Sequence, residues 1–119
     1  MAGGAHIAVL EESEDNRSLI VELLRTDGFD VVAFPQMDDF LAQEDGTPCF
    51  AVADAWTAWR RENELCAFVP TERLLVMTTA DVHAGVWQAL GAARIVRKPF
   101  FTRDFLRSVR ELTREAYGT

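Results

Sequence analysis

Five short, largely apolar runs recur along the chain: HIAVL (6–10), DVVAF (30–34), CFAVA (49–53), RLLVM (73–77) and ARIVR (93–97). Runs of this length, rich in β-branched residues and not strictly alternating, suit strands buried on both faces. What lies between them has helical spacing. SEDNRSLIVELLRTDGF (13–29) sets Leu19, Ile20, Leu23 and Leu24 on one stripe, with Gly28 as a stop. MDDFLAQE (37–44) predicts a short helix after Pro35, and GTP (46–48) a turn. Residues 55–70 hold a helical segment with a ragged pattern, and VHAGVWQAL (82–90) predicts a helix capped by Gly91. FTRDFLRSVRELTREAY (101–117) predicts a final helix, with Thr102 as N-cap and a stripe of Phe105, Leu106, Val109 and Leu112. Strand and helix alternate five times. Such alternation implies an α/β fold, a parallel sheet with helices on both faces.

The 119 residues suffice for one domain with one real core, so a single domain over 1–119 is expected. Hydrophobic residues make up 49% and charged residues 26%, a soluble globular balance. The net charge of −7 disfavours nonspecific nucleic-acid binding, which depends on neutralising phosphates. No stretch approaches the roughly 20 apolar residues of a membrane helix, and the N-terminus lacks the pattern of a signal peptide. Cys49 and Cys66 form neither a disulfide framework nor a zinc pattern, and are expected to be small buried thiols in a reducing cytoplasm. His6 and His83 are expected to be surface or packing residues.

In an open α/β sheet, ligands bind outside the carboxyl ends of the strands. Here the first strand ends in Glu11 and Glu12, the third in Asp54, the fourth in Thr78, Thr79, Ala80 and Asp81, and the fifth in Lys98 and Pro99. If strands one and three are neighbours, three carboxylates meet there and need a cation or protons. An oxygen-only cluster suits Mg²⁺, which takes one or two carboxylates plus phosphate oxygens. Lys98 is the only lysine among twelve basic side chains. Its compact ammonium on a flexible stem can reach a phosphoryl oxygen or Asp54 in a space too crowded for a guanidinium. Thr79 can donate a hydrogen bond to another phosphoryl oxygen, and Asp54 is placed to be the nucleophile.

Four segments, LEESEDNR (10–17), FAVAD (50–54), VMTTA (76–80) and VRKPF (96–100), resemble the receiver domain of two-component response regulators, and the likeness runs along nearly the whole chain. It implies a flavodoxin-like, three-layer sandwich of five βα units with strand order 2-1-3-4-5. It implies that a histidine kinase or phosphotransfer protein passes a phosphoryl group to Asp54, the phosphoacceptor. Mg²⁺ would be held by Glu12, Asp54 and the backbone carbonyl of Trp56, with Glu11 acting through a metal-bound water. Thr79 and Lys98 would bind the phosphoryl group and small Ala80 would leave room for it. The Lys98–Pro99 peptide, usually cis in the family, would aim the lysine into the site. Activity beyond self-phosphorylation and autodephosphorylation is not expected.

The chain departs from the family pattern in several places. Glu12 stands where aspartate is usual. AWTAWRRE (55–62), with two tryptophans, replaces a Pro- and Gly-containing loop; Trp56 either lids the site or packs with Trp59 on a helix face. The segment between Thr79 and Lys98 is short by about one helical turn. The switch position three before the lysine, usually Tyr or Phe, is Ile95. Arg103, Arg107, Arg110 and Arg114 are spaced to share a face of the last helix, with Arg94 and Arg97 close by in strand five. The resemblance implies that this face, helix four to strand five to helix five, binds a downstream protein or pairs a homodimer. The alternative is a pseudo-receiver that binds proteins without phosphorylation. A small nucleotide- or flavin-binding domain fits less well, because EESEDN (11–16) is acidic where a phosphate cradle is glycine-rich.

Overall fold

The computed structural model describes residues 6–43 and 50–116. The strands are β1 (His6–Leu10), β2 (Asp30–Phe34), β3 (Phe50–Asp54), β4 (Leu74–Thr78) and β5 (Arg94–Arg97). The helices are α1 (Glu14–Thr26), α2 (Met37–Leu41), α3 (Glu62–Phe68), α4 (Asp81–Leu90) and α5 (Thr102–Ala116), with a 3-10 turn at Thr71–Arg73. All five strands are parallel, in the order β2-β1-β3-β4-β5. This is the expected α/β architecture and strand order.

The central strands β1, β3 and β4 read as near-continuous apolar runs because both sheet faces are covered there. Ile7 and Val9 of β1 face one cluster with Phe50, Val52, Leu75 and Met77, closed by Ile20 and Leu24 of α1 and Phe105, Val109 and Leu112 of α5. Ala8 and Leu10 face the other, with Ala51, Ala53, Leu74 and Val76, closed by Met37 and Phe40 of α2, Leu65 of α3 and Trp87 of α4. The small Ala51 and Ala53 leave that face room for the large Trp87 and Phe40. Each fully buried Leu, Val or Phe on these helices contributes about 1.5–3 kcal/mol.

Several expected boundaries shift. β3 and β4 each end one residue later, so Asp54 and Thr78 are strand residues. Leu19 stands on the outer side of the α1 stripe and is 51% exposed. Thr102 is the first residue of α5, not its cap; the carbonyl of Phe101 accepts from the Phe105 N–H at 3.0 Å. Helix α3 begins only at Glu62, because residues 55–60 form turns that end on Arg60 at φ 67°. That left-handed backbone breaks helical spacing and explains the ragged pattern. The GTP turn, Cys49, Glu44 at the end of the expected second helix, and the termini lie outside the described residues. Cys66 is a free, half-buried thiol whose pKa is pushed up by burial and by Glu62.

Candidate functional site

The strand ends are held in place by backbone bonds that continue the sheet. The Glu11 N–H donates to the Phe34 carbonyl at 3.1 Å, Ala55 to Met77 at 2.8 Å, and Lys98 to Thr78 at 2.9 Å. Glu11, Asp54 and Lys98 are therefore fixed by the sheet itself, and a parallel sheet presents their side chains at one edge. β1 and β3 are neighbours, which brings Glu11 and Asp54 together.

Lys98 joins them. Its Nζ donates to Glu11 Oε1 at 2.5 Å and to Asp54 Oδ1 at 3.0 Å. Glu11 is 2% and Asp54 7% exposed, so neither carboxylate has free access to water. Burial alone would lower the Lys98 pKa. The hydrogen bond to Glu11 and the charge of Asp54 outweigh it, and the pKa is held above the ordinary lysine value. The Lys98–Pro99 peptide is cis. Thr79 is exposed and lines, with Asn16, Leu19, Ile20, Lys98, Pro99 and Phe100, a cavity of about 340 Å³ beside this cluster. Buried Thr78 folds the strand-to-helix turn: its hydroxyl donates to the Ala80 carbonyl and accepts from the Ala80 N–H, both at 3.1 Å.

The other expected ligands lie differently. Glu12 is exposed and lines a separate cavity with Pro35, Gln36, Met37, Asp38, Thr57 and Arg61. Among the described residues no three His, Cys, Asp or Glu side chains form a group that could hold a metal ion. The Trp56 carbonyl accepts from the Trp59 N–H at 3.1 Å. By donor chemistry the pair Glu11 and Asp54 still fits Mg²⁺, which needs one or two carboxylates beside phosphate oxygens; the three-carboxylate cluster is not formed.

One residue of this site is absent from the sequence reading. Thr57 donates its hydroxyl to Asp54 Oδ2 at 2.8 Å and its N–H to the same oxygen at 3.0 Å. Its hydroxyl oxygen also accepts from the Glu12 N–H at 3.1 Å. The available signal was a hydroxyl residue three positions after a strand-end acid, a spacing at which side chains close local turns.

Trp56 and Trp59 lie in the turns after β3, not on a helix face. Their rings stack with centroids 5.9 Å apart, and His83 of α4 sits 4.9 Å from Trp59 and 6.0 Å from Trp56. His83 is thus a packing residue, and His6 pairs with Asp30 across β1 and β2 at 3.3 Å. Ile95 is half-buried against the cluster beneath α4.

The arginines do not form one free stripe. Arg94 binds Glu115 at 2.6 Å and approaches Glu111 at 3.9 Å; Arg97 pairs with Asp81. Arg110 makes a two-pronged pair with Asp27, one prong at 2.8 Å, which ties α5 to the end of α1. Arg114 also has a partner. Among the described residues only Arg103 and Arg107 of this set carry guanidiniums without an ion pair.

The fold matches solved receiver proteins. Full-length FixJ from B. japonicum superposes with a TM-score of 0.81 at 25% identity over 96% of this chain. The chain spans 60% of that protein. A response regulator receiver protein from Burkholderia phymatum gives 0.76 at 22% identity, covering 92% of this chain and 94% of that one. A CheY-like response regulator from Mesorhizobium loti gives 0.74 at 18% identity, covering 91% and 98%. No protein-family model and no curated protein matches the sequence. The chain has the receiver-domain fold of response regulators. Among the described residues no helix is long and apolar enough to cross a membrane.

Proposed function

We propose that the chain is a receiver of two-component signalling: Asp54 accepts a phosphoryl group from a phosphohistidine of a histidine kinase or phosphotransfer protein, and the product signals through protein contacts in the cytoplasm. The observation that carries this reading is the Lys98 ammonium 3.0 Å from Asp54 Oδ1, with Lys98 and Thr79 lining one cavity. A purely structural ion pair has no need of an adjoining open pocket with a hydroxyl in its wall.

In the proposed step Asp54 Oδ1 attacks phosphorus. The P–N bond breaks, its electron pair stays on the imidazole nitrogen, and an acyl phosphate forms. Lys98 moves from the carboxylate to a phosphoryl oxygen, and Thr79 donates to a second. Ala80 leaves room for the group, and Pro99 forms the wall behind the lysine. Glu11 and Asp54 are the carboxylates that would hold Mg²⁺, which would supply charge neutralisation at the acceptor. Arg103 and Arg107, which keep their charge free, are the basic residues available to a downstream partner or a second copy on the α4–β5–α5 face. Ile95, half-buried in β5 against the core beneath α4, takes the switch position.

The second reading is a pseudo-receiver that binds partners without phosphorylation. It is favoured by the internal partners of the expected metal ligands: Lys98 on Glu11 and Asp54, Thr57 on Asp54, and the Trp59 N–H on the Trp56 carbonyl. The two readings part on one experiment. Protein treated with phosphoramidate and Mg²⁺, then reduced with borohydride, converts an aspartyl phosphate to homoserine. Homoserine at position 54 in the peptide map supports the receiver; unmodified Asp54 supports the pseudo-receiver.

A further inference from the structure

Thr57 has the geometry of a working part of the acceptor site. Asp54 Oδ2 receives two donors from this one residue, the hydroxyl at 2.8 Å and the amide at 3.0 Å. The same hydroxyl accepts from the Glu12 N–H at 3.1 Å, so the loop after β1 and the turn after β3 are tied through one oxygen. A hydroxyl has a single proton, and it lies 2.8 Å from Asp54 but 3.4 Å from Glu12 Oε1. The proton therefore belongs to the bond with Asp54, and Glu12 meets the hydroxyl through its backbone. Asp54 Oδ1, by contrast, meets one flexible ammonium, that of Lys98 at 3.0 Å.

We propose that Thr57 is a positioning residue: it pins Oδ2, fixes the plane of the Asp54 carboxylate, and so presents Oδ1 as the oxygen that reacts with the phosphodonor. This rests on the receiver reading for its reaction, but the pinning of the carboxylate can be tested without it. The same arrangement assigns Glu12 a backbone role in holding Thr57, with its side-chain Oε1 the more distant neighbour of the same hydroxyl.

The test uses the whole chain and three variants. Thr57→Val keeps the β-branched shape and removes the hydroxyl, Thr57→Ser keeps the hydroxyl, and Asp54→Ala removes the acceptor. With acetyl phosphate and Mg²⁺, adduct formation should slow by about tenfold in Thr57→Val, the effect of losing one hydrogen bond to a charged group. Thr57→Ser should restore most of the rate. Wild-type speed in Thr57→Val, or equal loss in Thr57→Val and Thr57→Ser, would overturn the proposal. If wild type takes up no phosphoryl group, the receiver reading fails, and the positioning role is decided by NMR. The Asp54 carboxyl ¹³C resonance should move in Thr57→Val and return in Thr57→Ser, and the Thr57 amide should move in Asp54→Ala. Unmoved resonances would overturn the pinning itself.

Discussion

At the residue scale Lys98 holds the site together. Two carboxylates almost shut off from water are held by one ammonium whose Nζ lies 2.5 and 3.0 Å from them. Removing one partner of such a group leaves the other charges uncompensated. Lys98→Met should therefore destabilise the fold by about 3 kcal/mol, read by urea unfolding. Pairing it with Glu11→Gln should return part of that loss, because one of the stranded carboxylates becomes neutral. The raised Lys98 pKa fixes the sign of a pH effect. Its contribution is complete below the ordinary lysine pKa and falls as pH rises through the higher folded value. Thermal stability should thus lose this contribution only in alkaline solution, and the Lys98→Met protein should lack that alkaline decline. Lys98 and Asp54 were legible in the sequence, because a lone lysine and a lone acid each stood at a strand end. Thr57 was not: one threonine in a loop has many uses, and only the closed turn shows that it faces Asp54. The direction of Glu12 was equally hidden, since it lies in the bend after β1, where the alternation of a strand no longer fixes the side chain.

At the element scale β1, β3 and β4 were readable because burial on both faces left almost no polar positions to interrupt them, while β2 and β5, at the sheet edges, were readable as short β-branched runs beside charged residues. The segment between β3 and α3 was not. It is shaped by the turns around Asp54 and by the left-handed Arg60, and neither has an apolar period. Two glycines of α4 give a prediction of opposite signs. Gly85 sits on the exposed side of the helix with nothing within 4 Å of an added Cβ. Gly85→Ala should stabilise the protein by about 0.5–1 kcal/mol. Gly91 caps the helix at φ 91°, where a Cβ would meet only Thr71, its Oγ1 at an ordinary 3.6 Å and its Cβ at 4.0 Å. Gly91→Ala should cost about 1 kcal/mol through the backbone rather than through a clash. Denaturant midpoints of the two variants, moving in opposite directions, check both. On α5, the pattern of arginines was visible but not the pairing of Arg110, because Asp27 reaches it from the end of α1, which spacing along one helix does not reveal. Arg110→Ala should lower the melting temperature in low salt by loosening α5 from α1, with the difference shrinking at high ionic strength. Arg107→Ala should leave it unchanged.

At the scale of the whole molecule, the order β2-β1-β3-β4-β5 gathers Glu11, Asp54 and Lys98 at one edge although they lie far apart in the chain. The fold class followed from alternation alone, while the strand order was carried by the resemblance, since alternation permits several parallel orders. On the proposed reading this edge is a phosphoryl acceptor. Intact-mass spectrometry of the whole chain after incubation with Mg²⁺ and acetyl phosphate tests it most directly, with Asp54→Asn alongside. The wild-type chain should gain one phosphoryl group and Asp54→Asn none. A folded wild-type protein that gains no mass, while a known receiver in the same solution is labelled, would contradict it.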